Sequence, residues 1–138
     1  MTTDDTPQPT AYERGAQMYT QIYAGDGMVI PEGTMPYNDV MMKSLFAEVW
    51  DRNVLSIRDR RLLLMGVLAA HGATDVWKIH TKAALKNGEL TPEELRETLI
   101  LLSPYAGFPV VSPLVSATET VIRGWQQSNV SAPADEQS

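Results

Sequence analysis

"ATDVWKIHTKAALKNGELTPEELRETL", residues 73–99, holds two helices and the turn that joins them. Thr74 offers an N-cap hydroxyl, and a helical pattern then runs to Asn87 and Gly88. That pair stops a helix, because glycine adopts the left-handed backbone at little cost. Three residues on, the chain starts again. Thr91 caps, Pro92 fits the first helical position, where no N–H is required, and Glu94 reaches back to close a capping box. Leu95, Leu99 and Leu102 line one face of this second helix. A stop and a start this close predict antiparallel neighbours and an all-α fold.

The flanking sequence is helical too. "TAYE" opens a first helix with Thr10 as cap and Glu13 three residues on, and Tyr12, Ala16, Tyr19 and Tyr23 share a face until Gly25 and Gly27. The loop "GDGMVIPEGTMPYN" has too much Gly and Pro for a regular element across its middle. A second helix is predicted over Asp39–Arg52, with Met41, Leu45 and Val49 inward. "SIRD" opens a third, with Ser56 and Asp59 as a capping box. From Leu62 to Ala70 that helix is apolar on nearly every side, which predicts burial at the centre of the fold or of an interface. "SPYAGFP" breaks the fifth helix, and a sixth is predicted from Ser112 and Pro113, with Leu114, Ala117, Val121 and Trp125 as its stripe. No segment alternates with period two, so about six helices are expected. They form one domain over residues 10–127, between polar tails at 1–9 and 128–138 that read as disordered.

Composition narrows the function. The net charge is −6, but Asp4, Asp5, Asp135 and Glu136 lie in tails without Lys or Arg, leaving −2 on the body. No basic run exists, which argues against nucleic acid. The chain has no cysteine, which excludes disulfides, thiol redox chemistry and Cys-ligated zinc. The start, "MTTDDTPQPT", is polar, and the longest apolar run, "LLLMGVLAA", is about half a membrane span, so a cytoplasmic protein without membrane contact is expected. No nucleotide loop, nucleophile elbow or metal motif is present. The apolar third helix and Met-rich second helix, with charged residues at only 20%, predict self-association.

Few groups can carry chemistry. His71, just before Gly72, reads as an imidazole answering a helix C-terminus. His80 shares a face with Val76, Ala83, Ala84 and Asn87. Two alanines leave room beside the ring, which could be a titratable group in a small pocket or a core histidine bonded to a carbonyl. Glu48 stands at the edge of an apolar stripe, either as a boundary residue or, if buried, as a proton carrier of raised pKa. Arg58, Arg60 and Arg61 sit in a first turn, where cations oppose the helix dipole. They need partners such as Asp59 and Glu48, or an anionic ligand, and one of Arg60 and Arg61 must point inward or across an interface. Tyr105 and Phe108 form an aromatic turn that could be pocket wall or core.

"FAEVWDRNVLSIRDRRLLLMGVLAAHG" followed by "IHTKAALKNGELTPEELRETLILLSPYAGFP", residues 46–72 and 79–109, resembles the carboxymuconolactone decarboxylase family. The likeness is to its E-[VI]-W segment, L-[ST]-x-[RK]-x-R helix start, H-x-x-x-A-[LR]-x-N-G segment, T-x-E-E-[IL]-x-E helix and YAG-[FV]-P turn. "YERGAQMYTQIYAGD" also resembles the family's first helix. Peroxidases of the wider alkylhydroperoxidase-D-like superfamily carry C-x-x-C-x-x-x-H here. In this chain those cysteine positions are Ala73 and Val76, so dithiol peroxide reduction is impossible and the cysteine-free branch is favoured. The resemblance implies an all-α subunit assembling as a trimer or hexamer. It also implies a metal-free, cofactor-free decarboxylation of an unsaturated lactone acid in aromatic-compound breakdown, the β-ketoadipate pathway. It assigns His80 to proton delivery, Glu48 to orienting His80 or sharing the proton, and Arg60 to the substrate anion or oxyanion. Trp50, Asn87 and Tyr105 become pocket wall and polar contacts. The Met- and Pro-rich loop before the second helix departs from the family pattern and leaves the substrate open. A non-catalytic oligomeric binder, or an isomerase or hydratase, is the alternative on the same fold.

Overall fold

The computed structural model describes residues 4–130, and the described residues form helices and no strands. The chain divides into two compact units, the first ending at Ile57 and the second beginning at Arg58.

In the first unit, α1 spans Ala11–Ile22, and Thr10 Oγ1 accepts from Glu13 N at 3.1 Å as its cap. The predicted aromatic face is present: Tyr12 is buried, and Tyr19 and Tyr23 pack against Phe46 with ring centroids 5.1 and 6.0 Å away. α2 begins at Pro36, three residues before the predicted start, because proline at the first helical position forfeits no hydrogen bond. It covers Pro36–Val40 and continues as a π-helical segment, Met41–Trp50. The inward stripe is Met42, Phe46, Ala47 and Trp50, whereas Leu45 and Val49 are exposed. Met41, Leu45 and Val49, predicted inward, are therefore not the buried stripe. Both stripes are apolar, so periodicity could not rank them. Two contacts fix the choice. Gly15 lets the α1 backbone approach so closely that an added Cβ would lie 1.9 Å from the Met42 carbonyl oxygen. The Tyr12 hydroxyl donates to the Ile30 carbonyl and accepts from Asn38 Nδ2 at 3.1 Å, tying the loop to both helices.

α3 spans Ile57–Ala70, its first residue at the boundary, and the second unit continues with α4 Thr74–Lys86, α5 Pro92–Ala106 and α6 Phe108–Val130. α6 packs on both α4 and α5. The core gathers Met65 and Ala69 from α3, Trp77, Ala84 and Leu85 from α4, Leu95 and Leu99 from α5, and Val111, Leu114 and Ile122 from α6. The buried Trp77 indole donates to Thr118 Oγ1 at 2.8 Å. The α4 stop is as predicted, with Gly88 at φ +68°, and so is the Thr91–Glu94 capping box.

Three expectations change. α3 buries only Arg61, Met65 and Ala69, while Leu63 is 65% and Val67 53% exposed. It is therefore not enclosed on all sides within this chain. Thr74 is the first helical residue and not the cap, which is Ala73. The "SPYAGFP" break is a single residue, Gly107 at φ +106°: α5 runs through Pro104, and α6 begins at Phe108, carries Pro113 in its second turn and extends past 127 to Val130. Pro104 and Pro113 each forfeit one helical N–H bond yet neither ends its helix, so the break is made by the glycine and not by the prolines. The rest of the predicted C-terminal tail lies outside the described residues, as do residues 1–3.

Candidate active site

His80 stands on α4, on the face that also carries the buried Ala83 and Ala84, and is itself 2% exposed. Arg61 occupies the first position of the α3 stripe that continues through Met65 and Ala69, and it is 0% exposed. Its Nη1 lies 2.9 Å from His80 Nδ1. A guanidinium only donates, so Nδ1 is the acceptor. The other edge of the same guanidinium meets Glu89 in a two-point pair: Nε to Oε1 at 2.7 Å and Nη2 to Oε2 at 2.8 Å. Bidentate pairing of this kind is strong and fixes orientation as well as charge.

Glu89 hangs from the turn between α4 and α5. Asn87 Nδ2 donates to its Oε2 at 3.0 Å, and Arg58 Nε donates to its backbone carbonyl at 3.0 Å. Arg58 also reaches Glu94 Oε2 at 2.5 Å. The Glu94 carboxyl is held below its usual range, first by the Thr91 backbone N–H and then by Arg58. The N-terminal turn of α3, the α4–α5 turn and the start of α5 are thus joined by charge-assisted hydrogen bonds. This explains how a first turn rich in arginine is tolerated: Arg58 and Arg61 both have carboxylate partners.

Burial pushes the His80 pKa down to about 4; the Arg61 charge adds to the effect and Glu89 partly opposes it. The ring is neutral at pH 7. Inside a low-dielectric site, a neutral imidazole is a good hydrogen-bond donor through its remaining N–H and a poor store of protons.

Of the predicted site residues, the structure brings His80 and Asn87 into one network. The guanidinium at His80 is that of Arg61, not Arg60, which is part-buried. The carboxylate in the network is that of Glu89. Glu48 is exposed and Trp50 buried, both in the first unit. Tyr105, on the last turn of α5, is 86% exposed. Arg61 was findable from its spacing with Met65 and Ala69. Glu89 had no such signal, because turn residues carry no periodicity. Two surface grooves of this unit are lined by other residues: one of about 750 Å³ includes Leu99, Ile100, Phe108 and Val115, and one of about 710 Å³ includes Lys82, Lys86 and Trp125.

Fold and site together define an all-α protein, without cysteine, whose buried imidazole is held by an internal ion pair. Residues 36–120, well over half of the chain, match the carboxymuconolactone decarboxylase family, and the chain belongs to it. It is 27% identical over 118 residues to 4-carboxymuconolactone decarboxylase of Acinetobacter baylyi, covering 81% of this chain and 87% of the relative. It is 28% identical over 89 residues to nitrosuccinic acid decarboxylase npaB of Metarhizium robertsii, covering 64% of this chain and 62% of the relative. No described helix is long and apolar enough to cross a membrane.

Proposed function

We propose that this chain is a decarboxylase of small dicarboxylic acids that carry their own electron sink. The observation that carries the reading is the buried, neutral His80 held by Arg61 in a member of this family. The names of the two relatives support the substrate class. Carboxymuconolactone and nitrosuccinic acid share a succinate core: one carbon bears both the departing carboxylate and a CH2–COO⁻ arm. That carbon is also joined to an electron sink, the nitro group in one case and, through a C=C bond, the lactone carbonyl in the other.

Loss of CO2 leaves the bonding pair on that carbon, delocalised onto oxygen as a nitronate or dienolate, and a proton then adds to carbon. Because the sink lies in the substrate, the reaction calls for no cofactor. The remaining tasks are to hold the anions, stabilise the developing oxyanion and return the proton. His80 suits the second as a neutral N–H donor, which changes the role the resemblance assigns it. Arg60 keeps the anion-binding role that the resemblance assigns it. Asn87 is assigned a polar contact; Glu48, which is exposed, does not meet the burial on which its reading as a proton carrier depended. Tyr105 serves only if a second copy covers it.

Self-association as a trimer or hexamer is part of the proposal, supported by the exposed Leu63 and Val67 on α3 and Ile100 and Leu101 on α5. Light scattering at micromolar concentration tests it, and a monomer overturns it. For the reaction, CO2 release is measured with nitrosuccinate, 4-carboxymuconolactone and unsubstituted succinate. Turnover of either of the first two and not the third is expected, falling about 100-fold or more in His80→Ala. Thermal stabilisation by these acids without CO2 release overturns the enzyme reading in favour of a binder.

A further inference from the structure

We infer that Arg61 and Glu89 are positioning residues that lock His80 into one tautomer, with its single ring proton on Nε2. The argument begins with donor count. Guanidinium stays protonated and has no acceptor. Its Nη1 lies 2.9 Å from His80 Nδ1, so Nδ1 must present a lone pair and the ring proton resides on the other nitrogen. Glu89 makes this geometry single-valued. By occupying the Nε and Nη2 edge at 2.7 and 2.8 Å, it fixes the plane and rotation of the guanidinium and leaves Nη1 directed at the ring. Glu89 cannot swing away readily, since its Oε2 also accepts from Asn87 and its carbonyl from Arg58. With Arg61 fully buried and the Glu89 side chain 10% exposed, water is a weak competitor. A chain of constraints therefore runs from the α5 cap, through Arg58 and Glu89, to Arg61 and the imidazole.

The tautomer rests on geometry alone. Its consequence for catalysis rests on the proposed function: a ring whose proton is fixed on Nε2 and whose Nδ1 is occupied acts as an oxyanion donor and not as a base.

The test is nitrogen NMR of 15N-histidine-labelled full-length protein at pH 7. Only two histidines are present, and the exposed His71 serves as internal reference. His80 is expected to give one unprotonated Nδ1 and one protonated Nε2 resonance. The paired substitution Arg61→Met with Glu89→Leu removes both charges, a change that buried pairs often tolerate without loss of stability. It is expected to give shifts averaged between the two tautomers, and the milder Glu89→Gln an intermediate result. A proton on Nδ1 in the wild type, or an unchanged single tautomer in the paired variant, overturns the inference. The same variants are assayed with nitrosuccinate. A fall in kcat of tenfold or more, with KM within about threefold, joins the tautomer to the chemistry. Released tautomers with unchanged kcat leave the positioning role intact and overturn the catalytic reading of His80.

Discussion

Lowering the pH from about 7.5 to about 5 should destabilise the folded chain by about 2 kcal/mol through His80 alone. The folded imidazole titrates at about 4, against its ordinary 6.5 in the unfolded chain. Between those values the unfolded state holds the extra proton, so stability rises with pH across this window. The contribution is fully present above about 6.5, is lost as pH falls, and levels off below about 4. The whole gap converts to ~3 kcal/mol, of which about two-thirds is gone by pH 5. The assay is urea unfolding followed by tryptophan fluorescence, to which the fully buried Trp77 contributes. Protein concentration is held fixed, since association would add its own stability. A His71→Gln background leaves one imidazole. Adding His80→Gln removes the titration while still offering Arg61 an amide oxygen, and it should abolish most of the pH dependence in this window. If that chain loses as much stability as its parent between the two pH values, the imidazole is not the neutral buried group described and the reasoning fails.

Gly15→Ala should destabilise by about 2 kcal/mol or more in thermal or urea unfolding, because the new methyl meets the Met42 carbonyl and outweighs the better helix propensity of alanine. Thr118→Val leaves the Trp77 indole N–H buried without its acceptor and should cost about 1–3 kcal/mol. Thr81→Val should be neutral or stabilising by up to about 1 kcal/mol, since Thr81 Oγ1 is the one buried side-chain polar atom without a partner among the described residues. A loss there equal to that of Thr118→Val would contradict both assignments. Thr91→Ala removes the α5 cap and should lower stability by ~1 kcal/mol.

The helices were legible wherever a local rule acts alone. Thr10, Thr91, Pro92 and Gly88 each perform the capping or stopping role their chemistry predicts. Errors arose where two signals competed. On the π-helical segment two apolar stripes lay side by side, and only the close approach of Gly15 selects the one carrying Met42, Phe46 and Trp50. Around Gly107 two prolines and a glycine all signal a break, and only the glycine makes it. The candidate site is half legible in the sequence: His80 and Asn87 share a helical face, and one first-turn arginine must turn inward. Which arginine it was depended on its register with Met65 and Ala69, and which carboxylate on a turn conformation, which no period encodes.

Glu89 sits between the stop at Gly88 and the start at Thr91, so the length of this connection decides where its carboxylate falls. One residue more or less would leave both helices whole yet withdraw the counter-charge from Arg61. An insertion or deletion remote from the imidazole in sequence therefore retunes its basicity without altering either the histidine or the arginine. Spacing in a hairpin thus sets both acid–base character and stability, since a buried Arg61 without its counter-charge is costly, and variants differing only there should lose stability as well as alter the chemistry.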